Sequence, residues 1–286
     1  MSARAATLRR HCETLLAGRV SSPFDVRNAP SVETVSAGIA PIDRLTGGLP
    51  RGSLTEIYGP PSSGITSVLV SALASLTAAS EVCALVDARD SFDPHSAQAA
   101  GVRLEQLLWI RCRNVDQAVR ATDLLIQGGG FGMIALDLSD IPPQAVRYVP
   151  LNVWFRFRRA VENTPTIFMI CEQESTAKSC ASLVLRMETQ EARWRHTEPS
   201  RQEHNGTHTP GCLLDGWSNT AEVIRSRARR EGWISEHLIS ASVGAGVNSD
   251  GSSIDFETQA LWSLHSFAKS VGKNGKVLSA GGPPPR

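Results

Sequence analysis

The chain has 286 residues, of which 41% are hydrophobic and 20% are charged, and its formal net charge is +1. This length is enough for one large domain with appendages or for two domains, and the balanced charge favours no particular partner. The six cysteines are scattered without a CxxC pair, which argues against a zinc site and a disulfide framework. No basic-then-apolar leader opens the sequence, and the apolar run 68–86 carries several hydroxyl side chains and Glu81. We therefore expect no signal peptide, no membrane span and a cytoplasmic location.

Helical spacing over residues 5–17 predicts an N-terminal helix, and a linker completes a first segment, 1–31. Residues 32–243 alternate short apolar strands with helices. The strands are LTEIYG, VCALVDA, GMIALDL and TIFMICE, and the helices are SSGITSVLVSALASLTAA with its loop, DQAVRATDLLIQ and VWFRFRRAVE. This pattern predicts a mainly parallel sheet covered on both faces. SLVLRME and AEVIRSRAR follow with strand alternation, and we predict them as antiparallel strands at one edge.

Residues 244–286 are rich in Gly, Ser, Asn and Pro and are predicted to be largely disordered. Helical spacing near 256–271, around Trp262, is the exception. Two interpretations stay open: the segment folds when a partner binds, or it packs back on the core. The candidate docking residues are Leu261, Trp262, Leu264 and Phe267.

GPPSSGITS, at residues 59–67, has the outline of a phosphate-binding loop between a predicted strand and a predicted helix. Backbone amides at such a helix start bind phosphate, and a hydroxyl after the second glycine binds magnesium. The candidate nucleotide-binding residues are Gly59, Pro60, Pro61, Ser62, Ser63, Gly64, Ile65, Thr66 and Ser67. Ile65 stands where the lysine is expected, which removes a charge-assisted contact of about 1.5–3 kcal/mol. We also expect its branched side chain to intrude on the phosphate hollow.

VETVSAGIAPIDRLTGGLPRGSLTEIYGPPSSGITS resembles the entry to the RecA recombinase core. The similarity continues through VCALVDARDSFDPHSAQAAGV, QLLWIRC and MIALDL, is clear over 32–171 and weakens towards about residue 230. The resemblance implies a RecA-like α/β fold. Within the family, the sequence looks like the degenerate ImuA-type accessory proteins. Those are encoded with an inactive-looking Y-family polymerase homologue and an error-prone replicative polymerase, and they act in damage-induced mutagenesis.

The resemblance assigns roles at the end of the second strand. Asp87 fits its strand-end aspartate, and Arg89 stands where the family has a glutamate that activates water. A guanidinium cannot accept the proton of that water. Asp93 and Pro94 match a DP motif of the family, but Ser96 replaces the aromatic residue that stacks on adenine.

Two further strands carry family positions. Asp137 fits the acid on the magnesium side, with Leu138 in place of the usual serine, and Glu172 loosely matches the glutamine that senses the terminal phosphate. An acid there would repel a triphosphate. We therefore expect no catalytic residue and a vestigial site that requires no cofactor. Binding of ATP or ADP, with Mg²⁺ held at Thr66 and Asp137, stays open as an alternative.

Alternative roles stay open for these residues. Asp87 and Asp137 are strand-end caps or form a salt bridge with Arg89, or Arg89 instead faces a bound phosphate and compensates for Ile65.

The resemblance also locates DNA-binding loops, which are short and poor in cations here. The first, between Ile141 and Val153, holds only Arg147 beside Tyr148, and Lys178 is the only cation of the second. Basic residues gather elsewhere. They either contact nucleic acid or a partner protein, or they form a solvated surface. They are Arg156, Arg158 and Arg159 on one helix, and Arg225, Arg227, Arg229 and Arg230 along and after one strand.

These features predict a non-catalytic RecA-like adaptor in error-prone repair of damaged DNA. The implied partners are the Y-family polymerase-like protein and the error-prone replicative polymerase; a RecA filament and weakly bound single-stranded DNA stay open. One alternative is an ATP-dependent protein that binds single-stranded DNA through an altered nucleotide site. A second alternative is a cell-division inhibitor of the SulA kind, which is related in fold.

Overall fold

The computed structural model describes residues 32–196, 212–227 and 252–259. The predicted N-terminal helix, the four docking residues near Trp262, Arg229 and Arg230 lie outside these ranges. The strands are β1 (Thr34–Val35), β2 (Leu49–Pro50), β3 (Ser53–Tyr58), β4 (Cys83–Asp87), β5 (Leu107–Arg111), β6 (Met133–Asp137), β7 (Ile167–Glu172), β8 (Leu183–His196), β9 (Cys212–Ser226) and β10 (Ser253–Gln259). The helices are α1 (Ala40–Thr46), α2 (Ile65–Ala78), α3 (Pro94–Ala99), α4 (Val115–Gly128), α5 (Pro143–Val146) and α6 (Leu151–Val161), with 3₁₀ turns at Leu104–Gln106 and Lys178–Cys180.

One large sheet has the strand order β10-β9-β8-β3-β7-β6-β4-β5, and β1 and β2 pair separately. The strands from β8 to β5 run parallel, whereas β9 and β10 are antiparallel. The predicted fold class, a mainly parallel sheet with helices and antiparallel strands at one edge, is confirmed.

The position of β8 differs from the sequence prediction, because β8 pairs in parallel with β3. The reason lies in residues 173–182, which we call the crossover. They carry the chain from the end of β7 back to the start of β3, where the Ser182 amide donates to the Leu54 carbonyl at 2.8 Å. A strand that starts at that edge must run in the direction of β3.

Apolar side chains on both faces of the sheet form two buried clusters. One cluster joins the sheet to α2 through residues such as Ile57, Leu85, Ala135 and Met169. The other joins it to α4 and α6 through residues such as Leu54, Val86, Leu136 and Ile170. These strands read as continuous apolar runs in the sequence because both faces are covered.

β10 corrects the prediction for the C-terminal tail, because residues 253–259 form a strand where the sequence indicated disorder and the start of a helix. Ile254 and Phe256 are buried beneath α1, and β10 pairs along its length with β9. Alternating inward side chains and a partner strand that is distant in sequence decide the conformation here.

The register of the large sheet brings the carboxyl ends of its central strands to the same edge. Asp87 pairs with Asp137, and Tyr58 pairs with Glu172. The carboxyl end of a parallel sheet is the usual place for a ligand site in α/β proteins. Within the described ranges, no helix combines the length and apolar character needed to cross a membrane.

Candidate functional site

The segment 59–64 forms a loop between the end of β3 and the first turn of α2. Gly64 is the N-cap of α2 with a φ of 88°, and Ser62 has a φ of 67°. The first amides of a helix have no intrahelical partner and point out of its start. The loop therefore has the backbone form of an anion-binding site.

Strands β8 and β9 pack tightly against this loop. A Cβ atom at Gly59 would lie 2.3 Å from the Met187 carbonyl oxygen, and one at Gly64 would lie 3.0 Å from Nδ2 of Asn219. Thr189 donates its hydroxyl to the Ser62 carbonyl at 2.8 Å. The loop is thus held by contacts within the chain.

A cleft of about 320 Å³ opens at this loop. It is lined by Gly59, Pro60, Pro61, Ser62, Ser63, Gly64, Ile65, Thr66, Ser67, Ser139, Asp140 and Trp217. Among these lining residues Asp140 alone is charged, so no described cation faces the cleft. The Ser63 hydroxyl is buried and has no hydrogen-bond partner in the described part of the chain.

Ile65 takes part in both the cleft and the core. It lines the cleft, but it is only 5% exposed and packs in the buried cluster beneath α2. The side chain that replaces the lysine is therefore an apolar boundary of the cleft. Most of its surface is buried, so the expected intrusion into the phosphate hollow is limited.

Asp137 lies at the end of β6 and is nearly buried. Its Oδ1 accepts hydrogen bonds from the Ser139 amide at 3.0 Å and the Ser139 hydroxyl at 2.7 Å. Burial raises the pKa of the Asp137 carboxyl to about 6, although the Ser139 hydrogen bonds oppose the shift. Ser139 was missed in the sequence, because the expected serine position, Leu138, points into the core.

Asp87 is a strand-end cap. Its carboxylate accepts hydrogen bonds from the Arg89 amide at 3.0 Å, the Phe92 amide at 2.9 Å and the Trp109 indole at 3.3 Å. The Arg89 side chain is exposed, forms no ion pair with any described residue and is not part of the cleft lining. The capping alternative is thus the one that fits Asp87. Neither the salt bridge nor the compensating contact is present among the described residues.

Ser96 has a capping role on α3. Asp93 is the N-cap of this helix and accepts hydrogen bonds from the amides of His95 and Ser96, each at 3.1 Å, and from the Ser96 hydroxyl. The position that the resemblance gave to an adenine-stacking ring is therefore used to start a short helix.

Glu172 lies away from the cleft, which corrects its loose match to a phosphate-sensing position. Its side chain is fully buried on the opposite face of the sheet, beside Glu56 of β3. The side-chain alternation of β7 explains this, because Glu172 shares a face with Ile170 and Phe168. The next residue, Gln173, donates from Nε2 to the Ser139 carbonyl at 2.8 Å, at the edge of the cleft.

Glu56 and Glu172 form a buried carboxyl pair that holds the crossover. Glu56 accepts hydrogen bonds from the amides of Thr176 and Ala177 at 2.9 and 2.7 Å, and from the Ser175 hydroxyl at 2.9 Å. Burial, and then Glu56, raise the pKa of Glu172 to about 9. The pair therefore retains a proton at neutral pH.

Trp217 is another lining residue that the sequence did not indicate, in addition to Ser139 and Asp140. Trp217, Asn219 and Ala221 alternate along β9. Ala221 is in the core beneath α2, Asn219 lies against Gly64, and Trp217 lines the cleft. The alternation in WSNTA was the available signal, but without the pairing of β9 it did not indicate what the tryptophan faces.

The predicted basic residues of α6 lie on different sides of the helix. Arg156 donates to Asp123 of α4 at 3.2 Å. Arg158 lies near the Lys178–Cys180 turn. Burial raises the pKa of the Cys180 thiol, and the charges of Arg158 and Arg227 oppose that shift. Arg159 is exposed.

The structure brings Arg158 together with two of the β9 arginines. Arg225 donates to the Lys178 carbonyl, and Arg227 donates to the Ser179 carbonyl at 2.8 Å. We call Arg158, Lys178, Arg225 and Arg227 the crossover cluster. None of its members forms an ion pair with a described carboxylate.

ATP and magnesium require donors for the phosphates, a cation near the outer phosphates and a group that activates water. The amides suit an anionic group, as does the Ser63 hydroxyl, which has no partner among the described residues. Among the described residues that line the cleft there is no cation, and Asp140 is the one carboxylate. No group of three or more His, Cys, Asp or Glu side chains that could hold a metal ion occurs in the described ranges. The residues present thus fit an anion held by the loop and do not fit hydrolysis of a magnesium triphosphate.

Comparison with known proteins agrees with the fold. Residues 20–145 match the family model of the RecA N-terminal domain. Protein RecA of Psychrobacter cryohalolentis is 38% identical over 117 residues, which cover 40% of this chain and 33% of that protein. Protein RecA of Psychrobacter arcticus is 38% identical over 120 residues, which cover 41% of this chain and 34% of that protein.

The chain thus spans about a third of the length of the curated relatives that it matches. The predicted RecA likeness is confirmed for this segment, which ends between β6 and β7.

Proposed function

We propose that this protein is a non-catalytic RecA-like accessory protein in damage-induced, error-prone DNA repair. It acts through protein contacts with a polymerase assembly that contains a Y-family polymerase-like protein and an error-prone replicative polymerase. A RecA filament is a further proposed partner. This role places the protein with DNA in the cytoplasm and requires no nucleotide turnover.

The charge of the cleft is the observation that carries this proposal. A phosphate loop is retained, yet among the described residues Asp140 is the only charged one that lines the cleft, and Ile65 borders the cleft with an apolar surface. Arg89, at the water-activating position, is exposed and outside the cleft lining. A general base must accept a proton, and arginine stays protonated in proteins. The loop is retained with isoleucine at the lysine position and arginine at the water-activating position, and these two replacements support a binding role.

The test is a steady-state ATPase assay on the purified full chain, with wild type and Asp137→Ala side by side. We expect both to stay at background, with and without single-stranded DNA. Turnover well above background that Asp137→Ala abolishes would refute the proposal. Co-purification with the two polymerases tests the adaptor role directly, and we expect the complex to form equally well with and without ATP.

A second candidate function, direct contact with single-stranded DNA, is favoured by the crossover cluster. Its cations have no carboxylate partners among the described residues, and Arg227 lies level with the start of β3. Unpaired cations of this kind bind phosphate with strong salt dependence. Binding of a labelled oligonucleotide should weaken steeply with salt and be indifferent to ATP; binding that requires ATP would favour the nucleotide-dependent alternative.

A further inference from the structure

One face of the β8–β9 ladder is apolar where it extends past the phosphate loop. Two cross-strand pairs form this face, Ala192 with Trp217 and Trp194 with Leu214. Paired residues of an antiparallel ladder share a face of the sheet, and alternation along β8 puts Ala192 and Trp194 on the same face. We call these four residues the β8–β9 surface.

The β8–β9 surface is partly open to solvent in the described part of the chain. Trp194 is 55% exposed, and the other three side chains are half-buried. The opposite face of the ladder is charged, since Arg193 forms an ion pair with Glu257 of β10. An antiparallel sheet usually has its apolar residues on the covered face and its polar residues on the solvated face. An apolar face with two tryptophans therefore indicates that a further segment packs on it.

The end of β10 shows which segment is nearest. Thr258 pairs with Trp217, and Gln259 pairs with Gly216. β10 therefore ends one strand away from the β8–β9 surface, and the chain continues from that point. The residues that follow at once, outside the described ranges, include four with large apolar side chains: Leu261, Trp262, Leu264 and Phe267.

The chain after β10 is long enough to cover the β8–β9 surface. Phe267 is eight residues beyond Gln259, so an extended chain would reach at most about 26–29 Å. Leu214 is two residues from Gly216 along β9, a distance of about 7 Å. A segment on so short a tether has an effective concentration in about the millimolar range, which favours it over a second copy or a partner protein.

We propose that residues 261–267 of this chain dock on its own β8–β9 surface. Their apolar side chains cover Trp194 and the open part of Trp217. The contact is independent of the proposed adaptor function, because it involves neither a polymerase nor DNA. A partner protein that recognises the same apolar side chains would have to displace them from the β8–β9 surface.

A disulfide experiment on the full chain locates the segment. Ala192→Cys is combined with Leu264→Cys, the protein is oxidised over a range of concentrations, and mass spectrometry of a non-reduced digest identifies the link. We expect a link within one chain, with a yield that does not depend on protein concentration. The single variants control for the native cysteines. Ala192→Cys with Ser279→Cys is the matched control, because Ser279 lies beyond the segment, and it should link much less.

Three outcomes of this experiment would overturn the proposal. A link between two chains would assign the β8–β9 surface to a second copy. Equal yields for the two cysteine pairs would mean that the contact is random. No link at either position would mean that the segment does not approach Ala192.

The tryptophan indole signals give a readout without new cysteines. Leu264→Glu with Phe267→Glu should shift the indole N–H signals of Trp194 and Trp217 in a proton–nitrogen correlation spectrum. Trp194→Phe and Trp217→Phe assign the two signals. The signal of Trp154, which is fully buried in the core, should not move.

The matched control adds the same two charges outside the segment. Ser270→Glu with Ser279→Glu should leave both indole signals in place. If the Trp194 and Trp217 signals are unchanged in the folded Leu264→Glu and Phe267→Glu variant, the contact is refuted. That result would leave the ATPase and co-purification tests of the adaptor function unaffected, so the two proposals fail separately.

Discussion

Glu56 of β3 and Glu172 of β7 are diagonal neighbours on one face of the sheet, both fully buried, because Glu56 pairs with Ile170 and Glu172 with Tyr58. They have different roles. Glu56 accepts three hydrogen bonds from the crossover, whereas Glu172 accepts from the Thr176 amide and hydroxyl and retains a proton. The hydrogen bonds that the crossover donates to these two buried acids thus connect it to the sheet, and through it they connect the sheet to the crossover cluster.

The first prediction concerns the pH dependence of stability. Between the ordinary glutamate pKa of 4.5 and the raised value of about 9, folded Glu172 keeps a proton that the unfolded chain loses. Its contribution to the free energy of unfolding therefore falls as pH rises through this window, by at most about 1.4 kcal/mol per unit. Glu172→Gln keeps a donor towards Glu56 and should remove this decline, as measured by urea unfolding at several pH values.

Glu56→Gln is the matched comparison. The amide group of the glutamine would place an N–H donor against the crossover groups that donate to Glu56. We therefore expect the free energy of unfolding to fall by about 3 kcal/mol or more at neutral pH. If both variants were equally stable, the assignment of the proton to Glu172 would be wrong.

The second prediction concerns Asp137. Its pKa is raised from the ordinary 3.8 to about 6, so between these values stability declines as pH rises. Asp137→Asn keeps the acceptor for Ser139, removes the buried charge and should be more stable than wild type near neutral pH. The exposed neighbour variant Asp140→Asn should retain the decline. Urea midpoints from acid to neutral pH decide between them, and a decline that persists in Asp137→Asn contradicts the prediction.

The third prediction restores the missing lysine. Ile65→Lys should cost about 2 kcal/mol or more, because most of the site is apolar and buried, yet raise Mg-ATP affinity by about ten- to a hundredfold. Hydrolysis should stay at background, because no base replaces Arg89; Ile65→Lys with Arg89→Glu tests that step. Ile65→Met is the control and should change neither property much. Titration calorimetry and ATPase assays measure both, and unchanged affinity in a folded Ile65→Lys protein would contradict the cleft geometry.

The fourth prediction tests how tightly β8 packs on the phosphate loop. In Gly59→Ala the new methyl group meets the Met187 carbonyl of the backbone, which cannot rotate away. We expect a loss of more than about 2 kcal/mol. Gly128→Ala, at the end of α4, meets nothing within 4 Å and should be neutral or stabilising by about 0.5–1 kcal/mol. Equal melting temperatures for the two variants would argue against the close contact.

The fifth prediction concerns the crossover cluster. Arg158→Ala with Lys178→Ala should weaken single-stranded DNA binding and reduce the salt slope by roughly 0.7 for each phosphate that the protein no longer neutralises. Arg156→Ala is the control on the other flank of α6, where Asp123 already pairs with the arginine. Fluorescence anisotropy over a salt series measures both. If the control and the double variant weaken binding alike, DNA does not bind at this cluster.

Most of the parallel sheet was predictable, because its strands are apolar runs and the helices between them keep their own periodicity. The loop at 59–67 was also predictable, since its glycines stand between a strand and a helix. The conformation of the tail was not, because Ile254 and Phe256 become strand residues only when β9 pairs with them. Glu172 was matched to a phosphate-sensing position by its place at the end of β7, and only the sheet showed that its side chain lies on the face opposite the cleft.

The sequence by itself determined the loop and the absence of its lysine, because these are properties of single residues at fixed spacing, and its resemblance to the RecA core implied that Arg89 stands at the water-activating position. Only the tertiary structure decided that Ile65 is mostly buried, that Glu172 pairs with Glu56, and that Trp217 enters the cleft. Each of those relationships joins strands distant along the chain, and their contacts depend on sheet order and register, which local spacing does not encode.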